Sequence, residues 1–471
     1  MIPKFAVVGR SNKGKSSIVA TLTENDRILV DAIPRTTRVC QEVTLQVADQ
    51  DLLTVIDTPG FEQAPAVLEW LQSKPVPAHK RHERVREFLR TFEHTGDFRF
   101  ECELLRPIVD DGASILYVAD VSRPYRPNFE AEFEILRWTG QPSLALMNQI
   151  ADADYQVEWQ AALSQYFRKV KVFNAQQSWF ADRMALLEDL KVMNDQTRPA
   201  LQEAMRQLQR QQERCLAKAA AILAEFVVEA MTHQLKVPRR DRLGAEPDAT
   251  RLVEQYQDEI RRLEEQARQR IIREFNYRDL QTRQVELAKP VYDQDLFSRE
   301  TWELLGLSRS RLITLGLTAG AVAGGSVDAL VGGSSFLVGT GLGALLGASG
   351  SAYLTFADLK LARRPLSSAY WLVGPNQNPN FPWILLDRGL SFILALLRRT
   401  HAERDVMEWQ VGTGKQGVMA QLASGSLKPL ASGFRRVKWA SQRSKAILQI
   451  TKDINQLLWQ LQDSDGDERL G

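Results

Sequence analysis

Gly9-Arg10-Ser11-Asn12-Lys13-Gly14-Lys15-Ser16 lies between an apolar run, Phe5-Ala6-Val7-Val8, and a helix-like stretch from Ser17. It fits the pattern G-x-x-x-x-G-K-[ST], a glycine-rich loop between a strand and a helix. The glycines let successive backbone N–H groups curl around a phosphate, and the helix that follows adds the positive end of its dipole. Lys15 is set to neutralise β- and γ-phosphate oxygens, and the Ser16 hydroxyl to ligate Mg²⁺. The stretch predicts an α/β domain that binds a nucleoside triphosphate. Gly9, Asn12, Lys13, Gly14, Lys15, Ser16 and Ser17 are its phosphate-side residues.

Leu52-Leu53-Thr54-Val55-Ile56 reads as a buried strand that delivers Asp57-Thr58-Pro59-Gly60 at its end, where a carboxylate reaches Mg²⁺ through water. The Gly60 backbone N–H is then available to the γ-phosphate. Between the two motifs Pro34-Arg35-Thr36-Thr37-Arg38 forms a polar loop in which a threonine can close over the metal, Thr37 rather than Thr36. On residues 9–17, 36–38 and 57–60 the chain resembles the Era-like branch of the P-loop GTPases, with their G-R-x-N-x-G-K-S-S, T-T-R and D-T-P-G motifs. The resemblance implies a parallel-rich sheet with helices on both faces over residues 1–185. It also implies GTP and GDP as ligands, Mg²⁺ held by Ser16, Thr37 and Asp57, and catalysis served by Lys15, Thr37, Gly60 and Asn12.

Further along, Ala113–Asp120 and Ser143–Asn148 read as the next core strands, and Val170–Phe173 as the last. The resemblance makes Asn148 and Ala175 base-side residues. Here the pattern departs from the family: a guanine-reading N-K-x-D motif is replaced by Asn148-Gln149-Ile150-Ala151. The carboxylate that pairs with guanine is an alanine, with Asp152 and Asp154 as the nearby substitutes. Guanine specificity therefore follows from the family and not from these residues.

Phe61 follows Gly60, at the position where Ras-type members carry a water-orienting glutamine; a phenyl ring neither donates nor accepts a hydrogen bond. Slow intrinsic hydrolysis is expected. Some Era-like enzymes with an apolar residue there use a phosphate-loop asparagine to hold K⁺, and Asn12 has that position. Its other reading is turn geometry.

Between Leu312 and Ala357 the sole charged side chain is Asp328. The turn cluster Gly332-Gly333-Ser334-Ser335 divides this run into Leu312–Leu330 and Phe336–Phe356, each about the 20 residues a bilayer-crossing helix needs. Gly316, Gly320 and Gly324 on one arm, and Gly339, Gly343 and Gly347 on the other, recur every fourth residue, as close helix contact in lipid favours. Arg309 and Arg311 precede the run, and Lys360, Arg363 and Arg364 follow it. By the positive-inside rule both flanks belong on the cytoplasmic side. The alternatives are a hairpin buried within a soluble bundle and one that opens in a conformational switch.

The chain has 471 residues, with 60 basic against 58 acidic side chains, a balance that argues against a general nucleic-acid binder. Its three cysteines, Cys40, Cys102 and Cys215, are too scattered for a disulfide framework or a metal cluster and suit a reducing compartment. A cleavable leader would remove the first strand and the phosphate loop. The spacing Val85, Phe88-Leu89, Phe92 predicts an amphipathic helix within the long stretch 61–107. Apolar stripes over 201–231 and 248–275 predict two helices of an arm.

The GTPase domain at 1–185 is expected to be followed by an all-α region in three segments: a helical arm at 186–305, the glycine-rich hydrophobic helical hairpin at 306–358, and a mainly α C-terminal region at 359–471. The last contains a turn-rich segment, Gly374–Trp383, and a helix over Ile384–His401. On Asp295-Leu296-Phe297, Trp302, Gly306-Leu307, Asn380-Phe381-Pro382-Trp383 and Arg398-Arg399-Thr400-His401-Ala402 the chain resembles bacterial GTPases that join an Era-like domain to a C-terminal domain of unknown function. The expectation is a GTP-hydrolysing switch at the cytoplasmic face of a bacterial inner membrane, contacting lipid through 312–357 and a protein partner or a second copy, but no nucleic acid. A non-enzymatic nucleotide-gated scaffold and an oligomeric pore are the alternatives.

Overall fold

The computed structural model describes residues 2–10, 14–23, 39–47, 50–149, 155–175, 180–238, 249–275, 277, 352–356, 359–366, 370–376, 381–399, 418, 422, 424–437 and 440–467. Two compact units are distinguished, Met1–Glu213 with Leu397–Asp405, and Arg214–Leu396 with Val406–Gly471.

In the first unit, strands β1 (Lys4–Val8), β2 (Gln41–Val47), β3 (Gln50–Asp57), β4 (Ser114–Asp120), β5 (Ser143–Asn148) and β6 (Lys169–Val172) form one sheet in the order β2-β3-β1-β4-β5-β6. β2 pairs antiparallel with β3, and the other pairings are parallel. Side chains alternate across the strands, so each face needs its own cover. Phe5, Val7, Val55, Leu116 and Leu144 enter one core with Ile18 and Val19 of α1 (Lys15–Thr23) and Leu186, Leu187 and Leu190 of α7 (Phe180–Met193). Ala6, Val8, Ile56, Tyr117 and Ala145 enter the other, under α2 (Ala64–Gln72), α3 (Arg81–Phe92), α4 (Arg99–Val109), α5 (Glu130–Trp138) and α6 (Gln156–Leu163).

The stretch after Gly60 therefore supplies three helices to one face. Val85, Phe88 and Leu89 of α3 are buried, as their spacing predicts. The first face extends past residue 185, because Leu201, Ala204 and Leu208 at the start of α8 (Arg198–Thr232) join its core.

In the second unit, α8 is accompanied by α9 (Ala249–Glu274), α10 (Phe381–Arg398), α11 (Ser424–Val437) and α12 (Arg443–Asp467). α9 and α10 bear out the helices expected at 248–275 and 384–401. α10 is buried on nearly all sides, and Gly389 lets it approach α8: a Cβ there would fall 2.2 Å from Leu223 Cδ1. On the same helix Arg388 donates to Glu264 of α9 at 2.8 and 3.2 Å, a buried two-pronged ion pair.

Two expectations are corrected. The region after the GTPase domain is not all-α, because β7 (Leu235–Pro238), β8 (Ala352–Phe356), β9 (Leu359–Pro365) and β10 (Tyr370–Asn376) form an antiparallel sheet in the order β7-β10-β9-β8. The second hairpin arm does not continue as a helix to Phe356. Its last five residues are strand β8, which pairs Phe356 with Leu359 and Ala352 with Arg363. Tyr353, Leu354, Thr355 and Phe356 favour a pleated surface, and β9 pairs with the backbone groups of β8 that face it. Lys360, Arg363 and Arg364, read as a membrane flank, belong to β9, and the proposed boundary at 358 cuts this strand pair. The remainder of the hairpin, 312–351, lies outside the described residues. Among the described residues no helix is long and apolar enough to cross a membrane.

Candidate nucleotide-binding site

The site forms where β1 and β3 end beside the start of α1. Gly9 has φ 138° and Gly14 φ 82°, values that favour glycine. A Cβ on Gly9 would lie 2.6 Å from the Val118 carbonyl oxygen of β4, so the loop leaves β1 against the sheet without room for a side chain. Lys15 opens α1, is 7% exposed, and turns its ammonium back to the Arg10 carbonyl at 3.0 Å. The N-terminus of α1 and this ammonium lie at the same end of the loop, and both favour an anionic phosphate.

Ser16 Oγ donates to Asp57 Oδ2 at 2.6 Å, joining α1 to the end of β3. Two hard oxygen donors converging below the loop fit Mg²⁺, which takes few protein ligands and fills its octahedron with water and phosphate. Thr58 Oγ1 donates to the Val7 carbonyl at 2.8 Å, tying the turn after Asp57 to β1. Gly60 is buried, and the Phe61 side chain, 5% exposed, is part of the hydrophobic core. Residues 11–13, with Asn12 and Lys13, and residues 36 and 37, with the threonine expected over the metal, lie outside the described residues.

On the base side, Asn148 ends β5 and its Oδ1 accepts the Ala175 backbone N–H at 3.4 Å. Thr21 Oγ1 of α1 donates to the Ala175 carbonyl at 2.9 Å. The loop after β6 is thus held from both sides, and the structure brings Asn148 and Ala175 together with the helix that opens at Lys15. Gln149 accepts a bond from Gln156 at 3.2 Å. Asp152 and Asp154 lie outside the described residues.

Three features escaped sequence reading because they join distant positions. Arg10, inside the loop, pairs with the fully buried Glu132 of α5, donates to the Asn128 carbonyl at 3.2 Å and lies 4.0 Å over the Phe129 ring. Burial pushes the Glu132 carboxyl up, against the pull of Arg10; burial also pushes the Tyr117 phenol well up, so its hydroxyl stays protonated and donates to Glu132 at 2.9 Å. Glu101 of α4 accepts the backbone N–H groups of Glu62 and Gln63 at 2.9 and 2.6 Å. Cys40, just before β2, donates its thiol to the Glu103 carbonyl at 3.1 Å, and burial pushes that thiol up to about 12.

Residues 4–149 match the family model described as a 50S ribosome-binding GTPase. GTPase Der of Rhodopirellula baltica is 42% identical over 64 residues, which are 14% of this chain and 14% of that protein's own length. Among solved structures, a variant of Era from Aquifex aeolicus bound to GDP·AlF4⁻ has 15% identity and a TM-score of 0.26, covering 51% of this chain and 72% of that one. NFeoB from S. thermophilus bound to GDP·AlF4⁻ and K⁺ has 14% identity and a TM-score of 0.23, covering 56% and 91%. A second family model matches residues 160–458 and begins inside the first unit, ahead of β6. With a P-loop GTPase domain at its start and well over half its length in that second match, the chain belongs to the family described as a domain of unknown function (DUF3482).

Proposed function

We propose that this chain is a guanine-nucleotide switch that hydrolyses GTP slowly and associates with a bilayer through residues 312–351. The contact between Ser16 and Asp57 carries the nucleotide part of the reading, since it unites the two metal-side motifs at the mouth of the phosphate loop. Lys15 and the N-terminus of α1 receive the phosphates. Ser16 and Asp57, with Thr37, hold Mg²⁺, which when bound neutralises charge on the phosphate oxygens. Gly60 offers its N–H to the γ-phosphate, and water is the nucleophile.

Slow turnover follows from Phe61. Its ring is packed into the core, so the residue after Gly60 contributes no group that orients water. Asn12 is the candidate ligand for K⁺, supplying the missing positive charge. The membrane part rests on the amino-acid sequence of 312–351, with its single acid and glycine stripes, and puts the protein at the cytoplasmic face of the inner membrane.

A nucleotide-gated scaffold without turnover is the second reading, favoured by the same burial of Phe61. GTP turnover by purified full-length protein, with and without phospholipid vesicles, separates the two. Phosphate release above the buffer rate that is lost in Lys15→Ala supports the switch. Tight GTP binding with no release in any condition supports the scaffold.

A further inference from the structure

Helix α4 lies in the stretch between Gly60 and β4 and touches the chain at two boundaries that matter to a nucleotide switch. At one, Cys40 donates to the Glu103 carbonyl, three residues after Thr37 in the sequence. At the other, Glu101 Oε1 accepts two consecutive backbone N–H groups, those of Glu62 and Gln63, immediately after Gly60-Phe61. Glu101 is fully buried, and its Oε2 has no hydrogen-bond partner among the described residues. Glu62 and Gln63 lie at the surface, but the buried oxygen that accepts both of their N–H groups holds the two peptides in one orientation, because a buried carboxylate left without donors is costly.

The adjoining chain has little other freedom. Thr58 is tied to Val7, the Phe61 ring is in the core, and Gln63 caps α2 without a side-chain bond of its own. Gly60 is therefore suspended between a tie on β1 and a tie on α4. Aromatic packing seats α4 itself: Phe98, in the left-handed region at φ 54°, stands 5.5 Å from Phe88 and 4.9 Å from Phe92 of α3.

We propose that Glu101 is a positioning residue for the Gly60 turn, so that α4 holds the backbone through which a γ-phosphate is distinguished from its absence; this rests on the switch reading above. The Glu101 acceptor keeps the turn in register, and the helices α2 to α4 respond to the nucleotide through it.

The test compares full-length wild type with E101A, E101D and E101Q. It reads affinity for GDP and for a non-hydrolysable GTP analogue, kcat and KM for GTP, and amide hydrogen exchange over residues 60–64. Glutamine keeps an acceptor oxygen at the same reach, whereas aspartate keeps the carboxyl but shortens it. E101A and E101D should lower the ratio of analogue to GDP affinity and lower kcat, each by about tenfold, as a displaced positioning contact does. Their GDP affinity should stay within about twofold of wild type, with faster exchange at Glu62 and Gln63, while E101Q restores all of these.

Unchanged exchange and affinity ratio in E101A and E101D would overturn the proposal. So would equal losses of GDP and analogue affinity, the sign of general loosening, or an E101Q as impaired as E101A. If E101A does not fold, E101D and E101Q decide on the same readouts. Wild type that binds both nucleotides equally refutes the switch reading instead, and exchange at residues 62 and 63 still decides the clamp.

Discussion

Ser16 Oγ and Asp57 Oδ2 stand 2.6 Å apart although 41 positions separate them in the chain. The pair makes Mg²⁺ dependence a direct test of the site. Ser16→Ala and Asp57→Asn should each weaken GTP binding in Mg²⁺ by about 10- to 100-fold, the equivalent of ~1.5–3 kcal/mol for a contact to a charged group. With a chelator present, wild type should fall to the level of the variants. Fluorescent-nucleotide titration measures this, and full affinity in both variants would remove the metal assignment.

GTP should compete better than ATP, but by less than a complete N-K-x-D loop achieves. Asn148→Ala should reduce GTP affinity by ~1–3 kcal/mol, because the buried Ala175 N–H loses its acceptor while Thr21 still holds the carbonyl. Competition at equal concentrations reads the preference. Identical displacement by ATP and GTP would show that this loop does not select the base.

Hydrolysis should run faster in K⁺ than in Na⁺, and Asn12→Ala should abolish the difference. Rates of phosphate release in matched chloride salts provide the measurement. Equal wild-type rates in the two salts would return Asn12 to a turn-forming role.

Arg388 and Glu264 tie α10 to α9 within the second unit. Burial alone would push the Glu264 carboxyl up, but Arg388 and Arg268 outweigh it and hold the carboxyl below its ordinary 4.5. The pair therefore stabilises in full above that value, and its contribution is lost as pH falls through the lower folded value. Arg388→Met should cost about 3–5 kcal/mol at pH 7, where it leaves a buried carboxylate with its main partner gone. The deficit against wild type should shrink towards pH 4 as protonation relieves the variant. Thermal unfolding followed across pH checks both the size and the sign.

Deleting residues 312–351 should release the protein from membranes that resist alkaline carbonate, while α9, α10 and the strand pair β8–β9 keep their amide protection. Gly320→Ile with Gly343→Ile should leave it membrane-bound, since hydrophobicity is retained and only the small-residue stripes are filled. Wild type found in the carbonate supernatant would overturn the bilayer reading.

The phosphate loop was legible in the amino-acid order because its chemistry is local: eight consecutive residues supply the glycines, the amine, the hydroxyl and the helix start. The core strands were legible for a related reason. Short apolar runs such as Phe5–Val8 and Leu52–Ile56 are buried on both faces, and the two motifs that follow them mark them as strands. Helix α9 announced itself through its apolar spacing, and α10 through the turn-rich segment ahead of it.

What the order of residues left open depends on pairing between distant positions. Tyr353 to Phe356 continue an apolar, glycine-rich run, so they read as helix. Only the hydrogen bonds offered by Leu359–Pro365 make them a strand, because strand pairing draws its stability from a partner and not from the segment itself. Arg10 with Glu132, 122 positions apart, and Glu101 with the peptides after Gly60 are likewise unmarked in the sequence. A lone acid on a helix looks like any solvated acid until the fold removes water from around it, and the tertiary structure then determines which donors it must accept.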